Sequence, residues 1–482
     1  MKRDLLLALV IFALGLWQNL HDVQISPFHP DESRWLHRAA FAGELRHPLG
    51  TFWDDEETMR VQPPLGSYLM GVGLLVQGRD LDTNGAWNFR HGRLWNIVNG
   101  NMPSDGDLEA GRRTNAVVGG LTAVVLYVIG RLLMGRVAGA AAGLFFASHP
   151  LSILMSSQAL SDALLTLLVA LAALIAVLLA ERPTWPRAVS LGVVLGLGAA
   201  TKLSPFLVAL PLAALGMLLL VRARGRRARA GERERARADA RLGWRLLPLP
   251  LIAAATFIAV FPYLWSDPVG RTRELVTFRT QEMANQGDIW ENLAVDSRTE
   301  ALRRVGITLG DRFSTTGWIA SRLARVIGLS WHPSGIDLPL ALVGLELLAF
   351  LAIVRGLRAS PTVLAVVLGS QAGAIVLGMR ADFARYHLPL VLAAAVGVGF
   401  TIDCLWQVGK RLARFEWSRD LGYALLDRAM PSDSRAPAVP LPVRVARNGH
   451  LPHSVLAPTP TTPVVTAPPP TQREQSLAES AT

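Results

Sequence analysis

The sequence predicts an all-α polytopic membrane protein with about 10 transmembrane helices, and three observations carry that prediction. Of its 482 residues, 51% are hydrophobic and only 18% charged, with mean hydropathy +0.33; a soluble chain carries about 25% charge. The apolar residues stand in long uncharged runs and not in a helical alternation, which is the pattern of membrane spans. Basic residues gather at the ends of those runs, where membrane proteins carry them. The net charge of +11 therefore speaks for topology, and no nucleic acid is expected as a partner. The single cysteine, Cys404, excludes a disulfide framework and a cysteine-based metal site.

The first span covers roughly residues 4–20. Lys2 and Arg3 precede its run LLLALVIFALGLW, as in a secretory signal, but QNLHDVQ follows where a small-x-small cleavage site would stand, so an uncleaved span is expected. A polar segment, 21–113, comes next. Within it LGSYLMGVGLLV (65–76) is too short to cross and is expected to lie in the interface or to re-enter. Further spans read at 114–134, 137–149, 160–180, 188–201, 203–221, 247–265, 338–355, 361–379 and 386–408.

Alternation from a cytoplasmic N-terminus puts every dense basic cluster of a short loop on the inner face. These clusters are Arg131 with Arg136, Arg182 with Arg187, the basic loop 222–245, Arg355 with Arg358, and Lys410 with Arg411 and Arg414. The first outer loop 21–113, the second outer loop 266–337 and the turn 380–385 then fall outside. The inner basic loop meets anionic headgroups or simply fixes topology. Residues 409–430 read as an amphipathic surface helix, and 431–482 as a disordered cytoplasmic tail rich in Pro, Ala and Thr. A multi-pass plasma-membrane protein is expected.

Several motifs are missing. There is no GxxxxGK[ST] and no HExxH, and GLGAAT (196–201) has neither the glycines nor the context of a dinucleotide site. Gly192 and Gly196 read better as a close-packing helix face. The acidic run WDDEET (53–58) offers oxygens to a divalent cation but reads as a solvated patch, and no metal or other cofactor is expected.

What remains is a set of polar groups at span edges, all on the outer side of this topology. SPFHPDESRWLHR (26–38) places Asp31 and Glu32 between His29 and His37, just after the first span. The apolar stretch 188–221 has 34 residues, too many for one crossing of about 20, and must turn near TKLSP, where Pro205 helps to break the helix. Lys202 sits at that turn, one of three lysines against 45 arginines. A lysine there either snorkels to the interface or serves a site, and a compact ammonium suits a phosphate oxygen. GMRADFARYHLPL (378–390) brings Arg385 and Tyr386 to another outer edge; Arg385 reads as a second anion clamp, and Tyr386 as interface anchor or site lining. His149 and Asp162 end consecutive spans on the same side, Asp162 reading as either helix cap or site residue. Together these types suit sugar transfer from a lipid phosphate, in which a carboxylate takes the acceptor proton and cations stabilise the phosphate leaving group.

At these residues the chain resembles a known family. HPDE, VQPPLGSYLMG (61–71), SQALSDALL (157–165), GLGAATKLSP (196–205) and RYHLPL (385–390) occur in the order seen in the GT-C glycosyltransferases. The resemblance, over roughly residues 5–408, is to transferases that use polyprenyl-phosphate sugars, including protein O-mannosyltransferases and the aminoarabinose transferase of lipid A. It implies a GT-C-like fold with a large first outer loop carrying interfacial helices. It implies further that Asp31 is the base, Glu32 positions the acceptor, and Lys202 contacts the donor phosphate with Arg385 and Tyr386 near the donor head group. Gln62, Pro63, Pro64 and Leu65 match a structural turn. The partners implied are a lipid-linked sugar donor, an acceptor glycan, lipid or protein, and membrane lipids. The chain departs from the protein O-mannosyltransferases in lacking a long β-trefoil insert, its second outer segment being 72 residues. A multispan transporter or lipid flippase is the alternative reading; such proteins show paired halves with matching helix breaks, and this sequence shows one break, at Lys202.

Overall fold

A computed structural model describes residues 2–227, 231–328 and 335–413. The first apolar run forms α1 (Lys2–Ile25). The polar segment after it is broken into short helices: α2 (Pro30–His37), α3 (Phe41–Glu44), α4 (Glu56–Met59), α5 (Leu65–Val76) and α6 (Arg93–Val98). The sequence explains the start of α2. Pro30 presets the first helical φ, His29 Nδ1 accepts from the Asp31 N–H at 3.1 Å, and Glu32 Oε2 accepts from the His29 N–H at 2.9 Å, a reciprocal cap.

Long helices follow. α7 (Asp105–Leu133) and α8 (Arg136–Ser148) form a tight hairpin, and α9 (Pro150–Ser156) bends from α8 by 60°. The small residues at the hairpin are needed for its closeness: a Cβ on Gly130 would lie 2.8 Å from the Gly139 Cα. Next come α10 (Asp162–Glu181), α11 (Trp185–Ala199), α12 (Ser204–Arg227), α13 (Arg233–Leu246) and α14 (Leu249–Ala259). Gly192 and Gly196 face α14, where added Cβ atoms would stand 2.6 Å from Ile252 and 2.5 Å from the Ala253 carbonyl. The chain then forms α15 (Pro268–Ile289), α16 (Arg298–Ile307) and α17 (Thr315–Val326), and closes with α18 (Asp337–Arg355), α19 (Ser360–Gly378) and α20 (Leu388–Ala413).

No strand occurs among the described residues; the one bridge joins Ala294 and Ala381. Eight of their helices are long and apolar enough to cross a membrane, or nine if the bent α8–α9 pair counts as one. About ten spans were expected. The difference lies at α11, whose 15 residues reach only ~22 Å at 1.5 Å per residue, short of a ~30 Å hydrocarbon core. A second difference lies in 222–245, expected as a basic loop. α12 stays helical to Arg227, and α13 begins at Arg233 and continues with α14 as a 27-residue candidate span, Arg233–Ala259. The described basic residues of this stretch ride on helix ends. The expected surface helix 409–430 starts inside α20, which runs to Ala413; its remainder and the tail 431–482 lie outside the described residues.

The long helices share two ends. One, the turn end, joins α7 to α8, α10 to α11, α12 to α13 and α18 to α19. The other, the loop end, receives the segments 26–104 and 260–328, the Lys202 turn and residues 379–387. Two ion pairs tie the long segments together there, Arg60 with Glu274 at 3.2 Å and Arg271 with Asp54 at 3.0 Å.

Candidate active site

The turn between α11 and α12 is set by its own backbone. The N–H groups of Thr201 and Lys202 both donate to the Gly198 carbonyl, at 3.0 and 2.9 Å, and Pro205 packs so closely on Gly198 that a Cβ there would lie 2.8 Å away. Lys202 projects from this turn and its Nζ lies 2.5 Å from Asp162 Oδ1, in the first turn of α10. Asp162 is nearly fully buried and Lys202 about a quarter exposed. The same Nζ stands 5.5 Å from the centre of the Tyr386 ring. The Arg385 guanidinium also lies 5.5 Å from the Tyr386 ring centre and 5.2 Å from that of Phe383, and it forms an ion pair with Asp31. Asp31 and Arg385 each keep 18% of their side-chain surface exposed. Five residues singled out in the sequence, Asp31, Asp162, Lys202, Arg385 and Tyr386, thus share one site at the loop end. It consists of two carboxylate–cation pairs linked through an aromatic ring.

Glu32, expected from the sequence to position an acceptor, is fully buried, and both its oxygens are hydrogen-bonded within the protein. Arg112 of α7 grips it in a fork, Nε to Oε1 and Nη2 to Oε2 both at 2.8 Å, and the Ala159 N–H adds a third bond at 2.8 Å. Arg112 also donates to the carbonyls of Val23, Ser26 and Pro27. The geometry has a simple cause: one residue past Asp31 on a helix points about 100° away, into the bundle. The pair clamps the start of α2 to α7 and so fixes where Asp31 stands.

His149 is also elsewhere. It caps α9, Nδ1 accepting from the Leu151 N–H at 3.2 Å, its ring lies edge-on to Phe145, and its buried Nε2 has no partner. Among the described residues no hydrogen bond or ion pair joins it to the two ion pairs. In the acidic run, Asp54 pairs with Arg271 while Asp55 caps α4. Among the described residues no three His, Cys, Asp or Glu side chains converge as metal ligands.

Several supporting residues were not assigned from the sequence. Gln286 of α15 accepts from the Tyr386 hydroxyl at 3.1 Å. Asp382 bonds the buried His387 Nε2 at 2.7 Å and faces Arg304 of α16 at 3.6 Å; the His387 hydrogen bond holds its carboxyl below the usual range. Its N–H donates to Leu293 O at 2.8 Å, beside the Val295 N–H on Arg380 O at 2.9 Å. These bonds pin the turn that presents Arg385 and Tyr386. His29, quoted but given no role, caps the helix that carries Asp31; burial, with Arg385 nearby, pushes its imidazole below the usual value.

Residues 104–231 match the family model described as dolichyl-phosphate-mannose-protein mannosyltransferase. That range holds Arg112, Asp162 and Lys202; Asp31 and Arg385 lie outside it. No curated protein matches the sequence. Among solved structures, an Archaeoglobus fulgidus oligosaccharyltransferase tethered to an acceptor peptide is similar at TM-score 0.45 and 14% identity, over 89% of this chain and 53% of that one. The Saccharomyces cerevisiae Pmt1–Pmt2 protein O-mannosyltransferase bound to its sugar donor is similar at 0.40 and 17%, over 55% and 34%. ArnT from Cupriavidus metallidurans bound to undecaprenyl phosphate is similar at 0.44 and 18%, over 84% and 62%. The chain spans about half the length of the archaeal enzyme. Over residues 104–231 the chain is similar to the dolichyl-phosphate-mannose-protein mannosyltransferases.

Proposed function

We propose that the protein transfers a sugar, hexosyl or pentosyl, from a polyprenyl-phosphate donor to an acceptor hydroxyl at the outer face of the membrane. The observation that carries this is the pair of carboxylate–cation contacts at the loop end, Asp31 with Arg385 and Asp162 with Lys202, each with its cation 5.5 Å from the Tyr386 ring centre. Each cation has one carboxylate, and both are only partly covered. A phosphate entering between Lys202 and Arg385 competes for both cations, and drawing Arg385 away leaves the Asp31 carboxylate free. Asp31 then takes the acceptor's proton as the acceptor oxygen bonds to the anomeric carbon. The bond from that carbon to the phosphate oxygen breaks, and the electron pair stays on the phosphate, where Lys202 and Arg385 stabilise it. The turn end carries Arg131, Arg136, Arg182, Arg187, Arg355 and Arg358, which supports a cytoplasmic placement of that end and an outer placement of the site. The family similarity over residues 104–231 supports the donor class.

The test is sugar transfer by the purified full chain in liposomes, with a radiolabelled polyprenyl-phosphate sugar and envelope lipids, glycans and proteins as acceptors. Loss of general-base catalysis costs about 10²–10⁴-fold, so Asp31→Asn should lose that much while still binding polyprenyl phosphate. Asn keeps the shape but takes no proton at neutral pH. Full activity in Asp31→Asn would remove Asp31 as the base, and lipid movement across the bilayer with no transfer would replace this reading with transport.

A further inference from the structure

Beyond the two ion pairs, the accessible face of α2 continues into a cluster of arginines that outnumbers its carboxylates. Glu32, Ser33, Trp35 and Leu36 are buried, which leaves Asp31 and Arg34 on the open side; residues three apart share a helix face. Arg34 lies 4.4 Å over the Phe89 ring and has no ion pair among the described residues. One turn on, Arg38 is only 7% exposed. Its Nη2 donates to the Gln62 carbonyl at 2.7 Å, its Nε is buried without a partner, and no carboxylate pairs with it among the described residues. Arg279 of α15 donates to the neighbouring Val61 carbonyl at 3.1 Å. Two guanidinium groups therefore converge on consecutive backbone carbonyls. Among the described residues, the one carboxylate ion-paired with these three arginines is Glu282, 3.3 Å from Arg279.

Three cations against one carboxylate in a half-buried setting are expensive, because a buried charge needs a partner. Burial first, then the neighbouring Arg34 and Arg279, push the Arg38 guanidinium down to about 9. An incoming anion would reverse both penalties, and arginine is the side chain whose fork matches a phosphate or carboxylate.

We propose that Arg34, Arg38 and Arg279 form an anion subsite for the acceptor, so that the hydroxyl presented to Asp31 belongs to a molecule carrying a phosphate or carboxylate. This deepens the transferase reading and rests on Asp31 being the base. The donor phosphate is held elsewhere, by Lys202 and Arg385. The acidic group thus selects the acceptor and sets its hydroxyl one helical turn from the carboxylate.

The experiment uses the full chain in neutral phosphatidylcholine nanodiscs saturated with polyprenyl phosphate, and measures binding of glycerol-1-phosphate against glycerol. Glycerol-1-phosphate should bind and glycerol should not. Arg34→Gln and Arg279→Gln, both at partly exposed positions, should each weaken binding by about ten- to a hundredfold, the loss of a hydrogen bond to a charged group. Arg34→Lys should restore part of it. Lys202→Met should keep glycerol-1-phosphate binding and lose polyprenyl-phosphate binding. If Lys202→Met still binds polyprenyl phosphate, the donor site is misassigned while the anion subsite is judged by its own arm. Replacing part of the lipid with phosphatidylglycerol separates the sources: competition with glycerol-1-phosphate supports a lipid-borne acceptor, and its absence a water-soluble one. Absence of binding in the wild type, or equal binding by wild type and Arg34→Gln, overturns the proposal.

Discussion

The two ends of the helix bundle use the same residue types in different ratios. At the turn end carboxylates are shared: Asp4 receives both Arg131 at 2.9 Å and Arg136 at 2.8 Å. Asp239 has Arg226 at 2.8 Å, with Arg358 and Arg222 at 3.7 and 3.9 Å. At the loop end the site pairs are one to one, Asp31 with Arg385 and Asp162 with Lys202. Two cations on one carboxylate hold helix ends together whichever of the bonds breaks. A single matched pair is a contact that another anion can replace. The ratio separates the shared carboxylates Asp4 and Asp239 from the one-to-one site pairs; away from the site, Glu300 at the loop end also holds two arginines, Arg303 at 2.7 Å and Arg304 at 2.6 Å.

The largest effect among the tests of that contrast belongs to Lys202. Removing one preorganised contact to a developing anion typically costs ~2.7–4 kcal/mol, or about 10²–10³-fold in rate. Lys202→Met should show that loss with weaker polyprenyl-phosphate binding, and Lys202→Arg should keep part of both, since charge survives but the wider fork fits the tight turn less well. Normal turnover at limiting donor in the Met variant would remove Lys202 from the site and with it the distinction between the two ends.

Next comes the carboxylate beside the proposed base. Glu32→Gln leaves Arg112 buried with its fork half-satisfied, and breaking a buried pair from one side costs about 3–5 kcal/mol. The expected readout is a lowered melting temperature and folded yield in detergent, with transfer per folded molecule near that of wild type. A variant as stable as wild type yet inactive would return Glu32 to the acceptor-positioning role that the sequence suggested.

How legible this was depended on whether the signal was local. The spans, the break at Lys202 and the gathering of Asp31, Asp162, Lys202, Arg385 and Tyr386 at one end follow from run lengths and the alternation of helix direction. Who pairs with whom did not follow. Arg385 meets Asp31 across 354 positions and Arg112 meets Glu32 across 80, and helix rotation at such separations leaves no trace in a local pattern. Arg112 did leave one clue. It stands four residues after Leu108 and four before Ala116, both buried, so it is a cation on an apolar stripe, whereas Arg113 faces out and pairs with Glu109. The helical start of α13 was hidden because its arginines read as loop. Their spacing is helical, with Ala236, Asp239, Ala240 and Gly243 on its buried side.

A smaller effect is expected from acid. The cap on α2 requires His29 Nδ1 to be unprotonated, since it accepts the Asp31 N–H. Burial lowers the imidazole from its ordinary 6.5, so the unfolded chain takes up the proton first. The cap's stability is complete above about pH 6.5 and is lost as pH falls through the lowered folded value. A cap is worth ~0.5–2 kcal/mol, so transfer should fall severalfold on that limb. Asn caps at every pH, and His29→Asn should flatten it. An unchanged acid limb in the variant would assign the titration to Asp31 itself.

The smallest effect should come from the other end. Asp4→Asn removes the carboxylate that Arg131 and Arg136 share, but the site at the loop end contains none of these residues. The substitution also makes the turn end more positive by one charge, and orientation follows Lys and Arg far more than Asp or Glu, so the change does not oppose insertion. Two measurements check this together, both in a Cys404→Ser background. A cysteine at Ser104, ahead of α7 at the loop end, should react with an impermeant maleimide added outside intact cells, and one at Arg235 on α13 should not. Asp4→Asn should leave both labelling patterns and the initial rate of sugar transfer as in wild type. If transfer falls while labelling is unchanged, the turn end reaches the chemistry through the helices, and the division between shared carboxylates and exchangeable pairs is wrong. If labelling inverts, so that Arg235→Cys is reached from outside, the site faces the cytoplasm and the donor and acceptor must be sought there.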